Sequence, residues 1–399
     1  MDRARLADVE FTLEWESAAA AHRERQLIHR VNFWRDFFPG TVGEALARAE
    51  VGEEVRGRFG AGELVPPGDP ALLRTIARDA FGPKGGRPAV EPRVGRFYPR
   101  AWAAAALGTF AADATPLRVI GRAANSLRVD LNHPLAASPV RVAARLVAVL
   151  PQREERGGAA NDIAERLTRS GPGMQAPYPG IDTDFFGEYP LARADESDDA
   201  RFYASPRFVQ HLDRAAIAEV TALYRRLLAG RTRVLDLMAS WVSHLPPEHT
   251  GLVVAGLGMN REELDANPVL AERVVHDLNR DPRLPFPDGS FDAVVCTASV
   301  EYLVQPLEVF AEVARVLAPG GVFVNAFSER WFPPKAIGLW TELHPFERLG
   351  FVLECYRRTG AFGGLATKTV RGLPRPPDDK YAATLAFSDP LYAAWGVRR

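Results

Sequence analysis

Between Arg231 and Thr367 five apolar runs, RVLDLM, LVVAGLG, RVVHDL, FDAVVCTAS and GGVFVNAF, alternate with segments of helical period. Each run has strand length and is apolar on consecutive residues, the pattern of a strand covered on both faces. Such strands separated by helices build a doubly wound parallel α/β sheet. Ligands of these sheets bind beyond the carboxyl ends of the strands, near the point where strand order reverses. The ends of the five runs are therefore where site residues are expected.

The rest of the chain has a different texture. Residues 8 to about 150 carry alternating segments, VEFTLEW and VRVAARLVAVL, of the kind found in half-buried strands, and a helical piece, VGEALARAE. Residues 151–204 are rich in Gly, Pro and acid and predict an extended connector whose aromatics, Tyr178, Phe185, Phe186 and Tyr189, need a surface to pack on. After Ser205, PRFVQHLDRAAIAEVTALYRRLL predicts one long helix opening a C-terminal domain over 205–399. With 399 residues the chain has room for two or three domains. Lys+Arg number 49 against 50 Asp+Glu, so no broad basic field for nucleic acid is expected. No apolar run reaches the ~18–20 residues that cross a bilayer. The charged first residues lack a signal core, and two cysteines, Cys296 and Cys355, provide neither a disulfide framework nor a cysteine zinc site. A cytoplasmic protein with no membrane partner and no metal is expected.

The segment LPFPDGSFDAVVCTASVEYL followed by PLEVFAEVARVLAPGGVFVNAFS resembles class I S-adenosylmethionine-dependent methyltransferases of the small-molecule type, over about 130 residues. The resemblance implies S-adenosyl-L-methionine as cofactor. It puts Asp277, with Leu278 beside it, at the adenine, and Asp236 near the ammonium of the methionine moiety. Ser299 to Tyr302 would border the methyl donor and the acceptor, with Tyr302 positioning the acceptor and Glu301 available as a base. The first two motifs depart from the family. In DLMASWVSHLP, Met238, Ser240 and Val242 stand where glycines would let backbone approach the cofactor. Gly258 replaces the acidic residue that grips the ribose, leaving Asn260 as a substitute. Ser240 is placed to bond the carboxylate of the methionine moiety, and Trp241 to stack on a planar ligand or to pack.

In the N-terminal part, DLNHPLA, within TPLRVIGRAANSLRVDLNHPLAASPVRVAARLVAV, resembles the closing portion of FKBP-type prolyl isomerases of the SlyD kind. The resemblance implies an α+β domain over residues 1–150 built from 8–72 and 126–150, with an inserted subdomain at about 73–125. Trp15 matches a pocket aromatic, while FWRDFF over Phe33 to Phe38 brings bulky side chains into that cleft. His133 reads as a turn histidine, and His244 and His249, five apart, as solvated side chains. RADESDD reads as a solvated loop. Two functions follow: methyl transfer to a small-molecule or protein acceptor, aided by an FKBP-like module, or a non-catalytic binding or chaperone-like protein in which both folds are repurposed.

Overall fold

The computed structural model describes residues 5–83, 90–151, 158–187 and 191–399. The chain forms two compact units, one of Met1–Gly187 with Leu343–Gly350, the other of Glu188–Glu342 with Phe351–Arg399. The stretch read from sequence as one connector is thus divided at Gly187.

In the first unit β1 (Leu6–Glu16), β2 (Ala21–Asn32), β3 (Glu54–Phe59) and β8 (Val140–Leu150) form an antiparallel sheet in the order β2-β1-β8-β3. Alternate residues of β1, Val9, Phe11, Leu13 and Trp15, enter one core with Val142, Ala144 and Leu146 of β8. Leu13 pairs with Val142 and Phe11 with Ala144, so the two sequence-distant strands lie side by side. A second sheet contains β4 (Leu73–Ala77), β5 (Phe97–Pro99), β6 (Pro116–Arg122) and β7 (Ser126–Asp130), in the order β4-β7-β6-β5. Here the expectation needs correcting: Ser126–Asp130 belongs to this second sheet, not to the first. Leu127 and Val129 turn into the same core as Leu117 and Val119, so residues 123–125 close a hairpin instead of leading out of the insertion. The segment 343–350 joins this unit through Glu347, which lies 3.3 Å from the Arg96 guanidinium and accepts a 2.8 Å bond from the Phe97 amide.

The turn after β7 is built by its own side chains. Asp130 accepts from the backbone and side-chain amides of Asn132. His133 accepts from the Leu135 amide at one ring nitrogen and meets the Thr168 carbonyl at the other, 2.9 Å away. Burial lowers its pKa, partly offset by that carbonyl. It is a turn residue.

The second unit holds β9 (Arg233–Leu237), β10 (Val253–Gly258), β11 (Leu270–Val275), β12 (Phe291–Thr297), β13 (Leu317–Phe327), β14 (Phe362–Arg371) and β15 (Leu391–Arg398). Their order is β11-β10-β9-β12-β13-β15-β14. The first five are parallel and β15 runs antiparallel to both β13 and β14. Successive residues of β13 face opposite sides. Val322 and Val324 meet Val220, Leu223 and Tyr224 of the helix Arg214–Leu227. Phe323, between them, packs on Phe310 of the helix Pro306–Val316 at 4.9 Å and on Tyr356 at 5.4 Å. Helices cover both faces, as the consecutive apolar residues require.

The helix Arg214–Leu227 is shorter than its apolar spacing predicts. Asp213, extended at ψ 167°, accepts from the Ala216 amide and starts it. Arg375, at 3.3 Å, and the hydroxyl of Ser388 hold the same carboxylate. Such a cap contributes about 1 kcal/mol and frees the preceding residues from the helix. The acidic run at Arg193–Asp199 is exposed at Ala194, Glu196, Ser197 and Asp198, as expected, but it is anchored at its ends. Arg193 donates twice to Asp199 at 2.8 Å, and the ammonium of fully buried Lys335 lies 3.1 Å from the same carboxylate. Tyr189 lies outside the described residues.

Candidate active site

A cavity of about 340 Å³ opens at the carboxyl ends of β9, β10 and β12. It lies where the strand order reverses, since β9 leads to β10 on one side while β12 lies on the other. Two residues there hold left-handed backbone without being glycine: Met238 after β9 (φ 60°) and Ala298 after β12 (φ 50°). Strain of this kind costs on the order of 1–3 kcal/mol and collects at functional sites.

Met238 thus makes the turn that the first expected glycine would make. Ser240 and Val242 have no positive φ and need no glycine. The turn leans on β10: the Ala239 amide donates to the Leu257 carbonyl at 2.7 Å. A Cβ on Gly258 would lie 2.1 Å from the Ala239 carbonyl oxygen. An acidic residue at the end of β10 is therefore sterically impossible while this turn stands.

Asp236, the penultimate residue of β9, is buried and borders the cavity. The Ser243 hydroxyl donates to it, and among the described residues it forms no ion pair. Burial pushes its pKa up to about 7, with the Ser243 bond pulling the other way. Asp277 follows β11 and uses one oxygen to accept from the Asn279 and Arg280 amides, at 2.9 and 3.2 Å. Leu278 beside it is buried and lines the same wall. Ser299 and Tyr302 both border the cavity, being three apart across the short 3₁₀ turn Val300–Tyr302. Tyr302 accepts from the Phe332 amide at 2.9 Å, leaving its own proton for a further partner.

Other expected residues are present but already engaged. Asn260 caps the helix Arg261–Ala266 by accepting from the Glu263 amide, and its two amide protons go to the Tyr203 and Ala204 carbonyls. Its donors are spent on these carbonyls and its oxygen already accepts from the Glu263 amide, so it does not stand free in place of the missing ribose-accepting carboxylate. The Ser240 hydroxyl donates to Glu263 at 2.6 Å, so its proton is not available for a ligand carboxylate. The Trp241 indole donates to the Val209 carbonyl and its ring meets Phe208 edge-on, while the residue still borders the cavity. Glu301 does not belong with the others. In the 3₁₀ turn it lies a third of a turn from the face shared by Ser299 and Tyr302, and it is buried away from the cavity.

Sequence reasoning missed the residues that enclose the cavity from outside the sheet. They include Arg207 and His211 before the helix, Asn279 after β11, and Arg330, Phe332 and Lys380 beyond β13. Asn279 donates to Asp199 and to the Tyr302 carbonyl at 2.9 Å and accepts from the Val304 amide. His244 is not a solvated histidine: it borders the cavity, and burial, then His211, drives its pKa down to about 4. Among the described residues no cluster of metal-ligating side chains occurs, and no helix is long and apolar enough to cross a membrane.

Residues 249–325 match the family model of a methyltransferase domain. The C-terminal unit is methyltransferase-like. The match spans Gly258, Asp277 and the turn Ser299–Tyr302, and begins after the altered turn at 238–243. Similar curated proteins include the methyltransferase GfsG of Streptomyces halstedii, 30% identical over 146 residues, which are 33% of this chain and 51% of that protein. The demethylmenaquinone methyltransferase of Deinococcus radiodurans is 35% identical over 100 residues, 24% of this chain and 39% of the relative. The chain thus spans about half or less of the length of these relatives. Among solved structures, a SAM-dependent methyltransferase from Archaeoglobus fulgidus aligns at 16% identity over 46% of this chain and 94% of its own, with a TM-score of 0.33.

Proposed function

We propose that the C-terminal unit binds S-adenosyl-L-methionine in this cavity and transfers its methyl group to an acceptor held beside Tyr302. The observation that carries the reading is Asp236, a buried carboxylate at the cavity with no cationic partner among the described residues. An uncompensated buried carboxylate is costly, and an alkylammonium ligand supplies the missing charge. When bound, the cofactor supplies an electrophilic methyl on a sulfonium. Asp236 would hold the ammonium, Asp277 would accept from the adenine amine with its free oxygen, and Ser299 and Tyr302 would border the methyl. No acid–base group is needed to activate the donor; alignment of the acceptor is the main contribution. The engaged side chains of Ser240 and Asn260 leave fewer contacts for the ribose and the carboxylate, so weak cofactor binding is expected.

The N-terminal unit is proposed as a binding module of FKBP-like type without isomerase activity. Trp15 is buried in its core and stacked on His22 at 3.9 Å, and Phe33 and Phe38 pack against the same core. In this reading those aromatics would fill the space that a prolyl substrate needs.

Calorimetric titration with S-adenosylmethionine and its demethylated product tests the cofactor site. Losing one charge-assisted hydrogen bond costs about 1.5–3 kcal/mol, or roughly ten- to a hundredfold in affinity. Asp236→Asn and Asp277→Ala should each show a loss of that size. No heat from the parent protein at high micromolar cofactor rejects the reading in favour of a non-catalytic binding protein. Unchanged affinity in both variants places the cofactor elsewhere.

A further inference from the structure

Part of the cavity wall comes from outside the sheet, and its chemistry differs from that of the strand ends. Arg207, Arg330 and Lys380 converge there on His211. Burial holds the pKa of that imidazole below its usual range; Glu263 opposes the shift and the three cations reinforce it. Arg330 is committed to Asp389 at 2.8 Å, and Asp389 also serves Arg375. Arg207 and Lys380 form no ion pair among the described residues. Arg207 is the more telling. Its guanidinium lies 4.5 Å from the Phe202 ring centroid and 5.3 Å from that of Phe332. One terminal nitrogen donates to the Phe202 carbonyl, while the other, Nη1, is buried with no hydrogen-bond partner.

A buried guanidinium nitrogen without an acceptor is costly, and one bound carboxylate oxygen would satisfy both its hydrogen bonding and its charge. The surroundings also select shape. The rings of Tyr302 and Phe332 stack with centroids 6.1 Å apart and planes inclined by 29°, and Arg330 sits 4.8 Å from the Tyr381 ring centroid. A wall of aromatic rings and guanidinium groups favours a flat ligand over a bulky one. We propose that this wall binds a planar aromatic carboxylate, held by Arg207 and Lys380. The ligand's place as the substrate of methyl transfer rests on the reading above; the anion site does not.

The probe is 2-naphthoate, followed by quenching of tryptophan fluorescence, since Trp241 and Trp331 border the cavity. Naphthoate should bind saturably and the neutral 2-naphthamide about tenfold or more weakly. Arg207→Gln should weaken naphthoate by about tenfold, and Lys380→Gln by a smaller factor. Lys380 is exposed, so its replacement keeps the test valid if Arg207→Gln folds poorly. Affinity for the demethylated cofactor should stay within about twofold in both variants, which separates loss of the anion site from loss of the fold. Equal binding of naphthoate and naphthamide, no response to naphthoate, or undiminished naphthoate affinity in both variants overturns the proposal. Naphthoate binding as expected with no binding of the demethylated cofactor leaves the anion site standing and rejects methyl transfer.

Discussion

The strand-end wall of the cavity and the wall formed by residues outside the sheet are made by different rules. Asp236, Gly258, Asp277 and Ser299 sit at positions fixed by the register of β9 to β12. Arg207, Arg330 and Lys380 arrive on three separate segments that share no period with each other. The first wall is set by hydrogen-bonded pairing, and there a substitution meets a rigid backbone. The second is set by side-chain contacts, and there a substitution changes chemistry without moving the scaffold. The difference teaches where this unit is constrained and where it is adjustable.

Asp236 should show the largest effect on stability. Its folded pKa of about 7 lies above the ordinary value of 3.8, so between these values the folded state holds more protons than the unfolded one. Stability therefore falls as pH rises through that window, by up to about 4 kcal/mol, taking 1.36 kcal/mol for each unit. Asp236→Asn removes the penalty. Denaturant unfolding at pH 5 and pH 8 should show the variant gaining on the parent as pH rises, although it binds cofactor less well. A gain independent of pH would mean that the carboxylate is already compensated, and the contrast between the two walls would lose its strongest member.

Gly258→Ala comes next. Its Cβ would meet the Ala239 carbonyl oxygen, so the backbone must move, at a cost of about 1–3 kcal/mol. A drop in melting temperature should appear without any ligand present. A neutral outcome would show that the turn yields, making this wall as adjustable as the other.

The smallest effect compares two positions where the sequence departs from glycine. Met238→Gly relieves left-handed strain but adds freedom to the unfolded chain, so its net effect should stay within about 1 kcal/mol. Ser240→Gly gains nothing from its backbone and loses the bond to Glu263, a cost of about 1–2 kcal/mol. Urea unfolding of the pair decides it, and the reverse order would mean that the strain at Met238 is not real.

The sheet was legible in the sequence because five consecutive apolar runs leave few other arrangements. The ends of those runs carry Asp236, Gly258, Asp277 and Ser299 to the cavity for the same reason. Glu301 was misplaced because adjacency along the chain says nothing about which face of a 3₁₀ turn a residue takes. Arg207 and His211 were hidden inside an apparent helix whose apolar spacing runs through them. Asp213, immediately before the buried stripe, was the available signal for a later start. Lys335 and the acidic segment it anchors could not be paired from sequence, since 140 residues separate Lys335 from Asp195. Ser126–Asp130 was expected in the first sheet because its alternation suits a strand of either sheet, and the pattern does not reveal that residues 123–125 turn it back onto β6.

The contact between Gly258 and the Ala239 carbonyl also bears on how such a chain can change over generations. A side chain at position 258 forces the turn at 238–239 out of its present place. The turn, in turn, can occupy its present place only while position 258 is bare. Neither feature is reachable from the other by one replacement that leaves a well-packed protein. The two form a ratchet: once both are in place, reversion must begin at the turn, and the order of steps is dictated by a single carbonyl oxygen.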